Sequence, residues 1–390
     1  MGSEGRLKIV ADRNMPLVET LFSPYGDVHL KSGREITSAD LIDADVLLVR
    51  SVTRVCCDLL ENSSVRFVGS ATIGIDHIDT KFLWQSGIHF AYAPGCNANA
   101  VVQYDLSVMS HLVPNWRDKH VGIIGCGNVG GRLFRTLKDL NVSCRAYDPF
   151  LTPDSCVDLC SFDEVLASDI ICVHTPLTHD GEYPTFHLIG PDELSRLKPG
   201  SLLLNAGRGE VVNNKALLDY LKSGGSIETA LDVWESEPEV CLELLEQVSI
   251  GTPHIAGNTV EGKRNGTSMV YEAFLSWIGK TSEDMADNSL QPIVLDSKEV
   301  IDSISDAILS SYDPRRDDLA MRTAFTGLEE GSVRQRKAFD HLRTNYPLRR
   351  EYSGTCVDWT QWSSNPRLKK ELDILGFQLA DPKPQRVVEY

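Results

Sequence analysis

The stretch VGIIGCGNVGGRL, residues 121–133, constrains this chain more than any other. An apolar, strand-like run ends at Gly125, and helical spacing begins just beyond Gly127. Gly125, Gly127 and Gly130 form G-x-G-x-x-G at the join. Glycine permits the tight turn and lets backbone approach a pyrophosphate, while the helix N-terminus offers free N–H groups and partial positive charge. Glycine-rich turns are common in α/β proteins, so the turn alone decides nothing. Asp148 ends the next strand roughly twenty residues on, where a carboxylate accepts hydrogen bonds from an adenosine ribose and repels a 2′-phosphate. Strand, turn, helix and acid together point to NAD rather than NADP, held at Gly125, Gly127, Asn128, Val129, Gly130 and Asp148.

Similar runs recur along the chain. Strands are expected at 7–11, 45–50, 66–71 and 88–92, and a second series at 120–125, 143–148, 169–175, 201–207, 228–233 and 248–252. Runs this apolar suit parallel sheets covered by helices on both faces, and their alternation with helical stretches gives doubly wound α/β domains. A helix within 93–113 links the two series, and another over 259–280 returns the chain to the first domain. The boundaries expected are 1–95 with 258–282, then 96–257, and a third module over 283–390. That module opens on the polar stretch TSEDMADNSLQPIVLDSKE (281–299) and is charge-dense at DPRRDD and LRTNYPLRREY.

Hydrophobic residues at 42% and charged residues at 24% describe a soluble globular protein. The net charge of −17 disfavours nucleic acid and anionic membranes, and an anionic substrate would need positive charge gathered locally. The ten cysteines form no C-x-x-C pair and no zinc-ligand pattern, so no metal is expected. Nothing at the N-terminus reads as a signal peptide, and no apolar run reaches membrane-spanning length. A cytoplasmic location is expected.

Three consecutive strands of the second series end in groups that could do chemistry. Arg208 follows LLLNAG, Asp232 and Glu237 lie in LDVWESEPE, and His254 lies in GTPHIAGN. Arginine presents a planar fork that matches a carboxylate. A carboxylate beside an imidazole favours its protonation and fixes its tautomer, which suits proton transfer. Three unrelated loop residues would give the same letters; it is convergence at the carboxyl edge of a dinucleotide-binding sheet that favours catalysis by Arg208, Glu237 and His254.

Taken together, GCGNVG, HTPLT, LLLNAGRG, LDVWESEP and TPHIAG resemble the NAD-dependent D-2-hydroxyacid dehydrogenases. VRSVTRV and ATIGIDHID look like that family's substrate-side segments. The resemblance implies an α/β fold with a Rossmann NAD-binding domain inserted into a flavodoxin-like substrate domain. It also implies Arg208, Glu237 and His254 as the catalytic set, Ser51 and Thr72 at the substrate, and Asp148, Thr175, Asp232 and Gly257 at NAD. Asn258 stands where a substrate-touching tyrosine is expected, and Gln103 where a glutamate is common. The tail pieces YDPRRDD and FDHLRTNYPLRRE resemble a branch with an added C-terminal α+β dimerisation domain, whose substrate is a phosphorylated 2-hydroxy acid. A homodimer is the implied assembly. Arg50, Arg54 and backbone N–H groups at 51–53 and 72–74 are candidates for the phosphate. Two other readings stay open: another family member, such as a phosphoglycerate dehydrogenase, or an NAD(H)-sensing protein that acts through partners.

Overall fold

Short strands with every residue buried organise the protein: VLLV (46–49), FVGS (67–70), VGII (121–124), IICV (170–173) and LLLN (202–205). The computed structural model describes residues 6–152, 154, 158–281, 291–295, 302–358 and 365–380. The chain divides into two compact units, Met1–Asn97 with Thr259–Ser289 and Ala98–Asn258 with Leu290–Tyr390.

The first unit holds β1 (Leu7–Asp12), β2 (Gly26–Lys31), β3 (Val46–Val49), β4 (Phe67–Ser70) and β5 (His89–Tyr92). They form one parallel sheet in the order β2-β1-β3-β4-β5, the flavodoxin-like order. Edge strand β2, GDVHLK, carries no apolar run to mark it: only Gly26 is buried, and the rest is exposed or half-buried. One face is covered by the helix Val260–Trp277, which buries Val270, Phe274 and Leu275 against Ile9, Val46 and Phe67. Thr259 caps that helix, its hydroxyl accepting from the Gly262 N–H at 3.0 Å. The other face is covered by Leu41, Leu60 and Leu83.

The second unit holds β6 (Val121–Ile124), β7 (Cys144–Tyr147), β8 (Ile170–Val173), β9 (Leu202–Asn205), β10 (Glu228–Leu231) and β11 (Ile250–Gly251). Their order is β11-β10-β9-β8-β6-β7, all parallel. An isolated bridge between Ala146 and Leu159 adds one rung beyond β7. Taken as a vestigial strand, it completes a Rossmann sheet. The chain leaves β6 toward β7 and returns to β8, so the topological switch point lies over the end of β6, where Gly125 begins the turn.

The C-terminal residues add a three-stranded parallel sheet, β12 (Ile293–Val294), β13 (Thr355–Asp358) and β14 (Gln378–Ala380), in the order β12-β13-β14. Most of the 281–299 stretch lies outside the described residues, yet β12 sits within it, a two-residue apolar pair too short to register as periodicity. The helices of this segment do not close a core of their own. Ile304, Ile308, Leu368 and Leu372 join the cluster built on Tyr104, Leu106 and Leu133. Met321, Phe325 and Phe339 join the cluster built on Leu231, Trp234 and Leu244. By its contacts the segment groups with the NAD-side unit.

Leu372 is fully buried in the shared cluster. Leu372→Ala is expected to cost about 2–5 kcal/mol, shifting a single denaturation transition shared with the Rossmann sheet. Two transitions, only one of them displaced, would show an independently folding segment.

Candidate active site

The glycine turn is built as its spacing suggests. Gly125 has φ of 87°, a left-handed value, and a Cβ there would lie 2.9 Å from the His174 carbonyl. A Cβ on Gly130 would lie 1.9 Å from the Gly125 oxygen. Gly127 differs: a Cβ there would meet nothing within 4 Å, so the space over it is open. Gly127 is also the N-cap of the helix Asn128–Asp139 and supplies no side-chain cap, so the first N–H groups of Asn128 and Val129 face that space with the helix dipole behind them. Asp148, just past β7, accepts from the Cys126 N–H at 2.9 Å and from the Phe150 N–H at 3.1 Å, which fixes its carboxylate beside the turn. Thr175 follows β8 with its hydroxyl buried and, among the described residues, without a hydrogen-bond partner. An open cradle, an uncapped helix and an orphaned hydroxyl at one switch point fit the phosphates and ribose of NAD.

His254 lies beyond β11 in left-handed backbone, φ 55°, a conformation that costs a non-glycine residue about 1–2 kcal/mol. Its neighbours hold it there. The His254 N–H donates to the Asp232 carbonyl at 2.7 Å. The buried Asp232 carboxylate accepts from the Thr252 hydroxyl at 2.7 Å and from the Ile255 and Ala256 N–H groups at 2.8 Å each. Tyr104, wholly buried on the helix Ala98–Leu112, is hydrogen-bonded to Thr252 at 2.9 Å. The loop is thus stapled on both sides of the imidazole. Gly257 follows directly, half-buried. Asp232, assigned to NAD by resemblance, has both oxygens engaged in this loop, a task no motif signals.

Glu237 reaches His254, Oε2 to Nδ1, at 2.8 Å, and its Oε1 accepts from the Trp234 N–H at 2.8 Å. Burial alone would raise the Glu237 pKa. The charge and hydrogen bond of His254, the charge of Arg343 and the Trp234 N–H outweigh it and hold the carboxyl below its ordinary 4.5. With Nδ1 facing a carboxylate, Nε2 is the nitrogen left to exchange a proton with a substrate. Arg208 follows β9, and its guanidinium donates to the Gly207 carbonyl at 2.9 Å. Buried Asn205 shapes that loop, donating to the Arg208 carbonyl at 2.9 Å and accepting from the Gly207 N–H at 3.1 Å. A Cβ on Gly209 would stand 2.0 Å from the Trp234 carbonyl, so the Arg208 loop rests directly on the backbone that leads to Glu237. Three loops from β9, β10 and β11 therefore meet around Trp234.

In the first unit, Ser51 is exposed just past β3. Thr72, past β4, donates to the Gly74 carbonyl at 2.8 Å and is bonded to Ser70 at 2.7 Å. Arg50 donates to buried Asp12 at 2.9 Å, a structural ion pair, and Arg54 is exposed. In the second unit, Asn258 donates to the Arg343 carbonyl at 3.5 Å and keeps a buried Oδ1 without a partner among the described residues. Gln103 donates to the Arg350 carbonyl at 3.1 Å, so this departure ties the linking helix to the C-terminal segment.

One buried pair lies outside the motifs. His174 Nε2 lies 3.0 Å from Asp105 Oδ2 with both side chains inaccessible. Burial pushes the Asp105 carboxyl up, against the pull of His174. A carboxylate inside the apolar run VVQYDLSVM was the available signal. Among the described residues, no cluster of three or more His, Cys, Asp or Glu is placed to hold a metal, and no helix is long and apolar enough to cross a membrane.

Residues 101–256 match the family of the D-isomer specific 2-hydroxyacid dehydrogenase NAD binding domain, and residues 286–376 match a domain family of unknown function. The chain is 46% identical over 383 residues to an erythronate-4-phosphate dehydrogenase of Teredinibacter turnerae, covering 97% of this chain and 100% of that protein. It is 45% identical to the Cellvibrio japonicus protein of the same name, covering 95% and 100%. The fold is shared with the NAD+-bound 3-phosphoglycerate dehydrogenase of Entamoeba histolytica, at TM-score 0.60 and 22% identity over 70% of this chain and 96% of that one. It is shared also with the NAD complex of formate dehydrogenase from Staphylococcus aureus, at TM-score 0.58 and 23% identity over 71% and 98%.

Gly127→Ala is expected to leave the melting temperature unchanged, since the added methyl meets no protein atom. NADH affinity, read by fluorescence titration, should fall by about tenfold or more, the cost of obstructing a close backbone approach. Undiminished affinity would place the dinucleotide elsewhere.

Proposed function

Because the chain belongs to the erythronate-4-phosphate dehydrogenases, within the D-isomer-specific 2-hydroxyacid dehydrogenase family, we propose that it oxidises 4-phospho-D-erythronate at C2. The product is (R)-3-hydroxy-2-oxo-4-phosphooxybutanoate, a step toward pyridoxal 5′-phosphate. The observation that carries this reading is the 2.8 Å bond between Glu237 and His254, on loops stapled at the carboxyl edge of an NAD-binding sheet.

NAD, when bound, supplies the hydride acceptor. Arg208 holds the substrate carboxylate and the C2 oxygen with its planar fork. Neutral His254 takes the C2 hydroxyl proton at Nε2, and ionised Glu237 stabilises the imidazolium that results. In the reverse direction protonated His254 returns the proton. Asp148 and Thr175 bind the adenosine and phosphate portion with Gly125, Gly127, Asn128, Val129 and Gly130, while Asp232 and Gly257 shape the nicotinamide end. Ser51, Thr72 and Asn258 touch the substrate. Two copies of the chain pair through the C-terminal segment.

His254→Ala should lose about 10²–10⁴-fold in kcat and still bind NADH; activity left intact removes His254 from the mechanism. Glu237, held below 4.5, is ionised above that value and is neutralised only as pH falls through its lowered value. Its charge is thus present throughout the neutral range. In Glu237→Gln the carboxylate that orients the ring and stabilises the imidazolium is gone, so kcat should fall about 10- to 100-fold while NADH still binds. An unchanged kcat would separate the pair from proton transfer. Sedimentation of the full chain tests the pairing: the expected mass is twice 43.2 kDa, and a single-chain mass overturns it.

A further inference from the structure

The substrate proposed above has an anion at each end, and a chain of net charge −17 must gather cations to hold both. Arg208 serves the carboxylate. Most basic groups that could serve the phosphate are already engaged. Arg50 is held by Asp12, Arg322 by Asp318 and Arg336 by Glu239. Buried Arg349 donates to the carbonyls of Ala100, Ile255 and Ala256.

Arg343 stands apart. It lies in the last turn of the helix Val333–Thr344 and is half-buried. Among the described residues its guanidinium makes no hydrogen bond or ion pair and sits 5.7 Å from the Phe339 ring centroid. Its helix is fastened to the chain that follows Glu237. Gln335 donates to the Val240 carbonyl at 2.6 Å, and Arg336 pairs with Glu239 at 2.5 Å. Glu330, in the loop before the helix, accepts from the Leu242 N–H at 2.9 Å. At the helix end, Asn258, four residues beyond His254, donates to the Arg343 carbonyl. The charge of Arg343 already reaches Glu237, whose own charge is matched at short range by His254. A guanidinium without an acid of its own, held beside the acid–base pair, leaves positive charge for an incoming anion.

We propose that Arg343 receives the 4-phosphate of the substrate, which makes the C-terminal segment a specificity element as well as a structural one. A guanidinium presents paired donors that match phosphate oxygens, and this one is held close to the groups that act at C2. The proposal rests on the substrate reading above.

The test compares 4-phospho-D-erythronate with unphosphorylated D-erythronate in the wild-type chain and in Arg343→Gln and Arg343→Lys. In the glutamine variant the ratio of kcat/KM values, phosphorylated over unphosphorylated, should fall about 10- to 100-fold, the scale of one lost charge-assisted hydrogen bond. The lysine variant should recover part of it. NADH titration of each variant confirms a folded cofactor site, and the unphosphorylated acid is the internal control. An unchanged ratio overturns the proposal. So does an equal loss on both substrates, which would mean that Arg343 acts only by keeping Glu237 ionised. A wild-type chain that ignores 4-phospho-D-erythronate but turns over another 2-hydroxy acid would instead overturn the substrate reading, and Arg343 with it.

Discussion

The carboxylate of Asp232 is the interaction on which the site depends. Burying an ion of this kind is costly unless its lone pairs are filled, and here three donors fill them: one hydroxyl and two backbone N–H groups. Those donors belong to the residues that flank His254. The bonds that offset the cost of burial therefore also impose the left-handed turn that aims the imidazole. Ser236, just before Glu237, is left-handed as well, at φ 65°. Strain on both sides of a hydrogen-bonded acid–base pair, held by a buried ion beneath, is the mark of a site organised ahead of its substrate.

Charge is arranged against the overall field. The acidic surface repels anions at long range, while the positive features are local and short-ranged: the uncapped helix behind Gly127, the fork of Arg208 and the Arg343 guanidinium over the Phe339 ring. Within a few ångströms such groups dominate, because screening and distance weaken the net field. Glu237 shows the balance. Its burial favours the neutral acid, yet three positive or donating neighbours keep it ionised.

Much of this was legible from the letters because the relevant positions sit where strands end. Strands buried on both faces read as unbroken apolar runs, and the first residues after them fall at the edge where ligands bind, so Gly125, Asp148, Arg208, Glu237 and His254 followed from order alone. What escaped has physical reasons. Strand β2 is an edge strand with polar residues along it, β12 has two residues, and Leu159 contributes a single bridge. The stapling by Asp232 escaped because its partners are backbone groups of a loop whose path the letters do not carry. Arg343 escaped because nearly ninety positions separate it from the residues it neighbours, with no periodicity to connect them.

The C-terminal segment shares its apolar packing with the NAD-side unit. Its polar opening suggests an independent appendage, but its apolar side chains complete clusters begun by the linking helix and by β10. Arg349 satisfies carbonyls on both the linking helix and the His254 loop, and its guanidinium lies 4.3 Å from the centroid of the Tyr312 ring. Removing the segment would expose Tyr104 and Leu106, leave buried carbonyls unpaired and withdraw a charge from Glu237 in one step. Truncation therefore cannot separate the part this segment plays in folding from its part in the site. Only substitutions that spare the shared core can do so, and Arg343, half-buried at the end of its helix, is such a position.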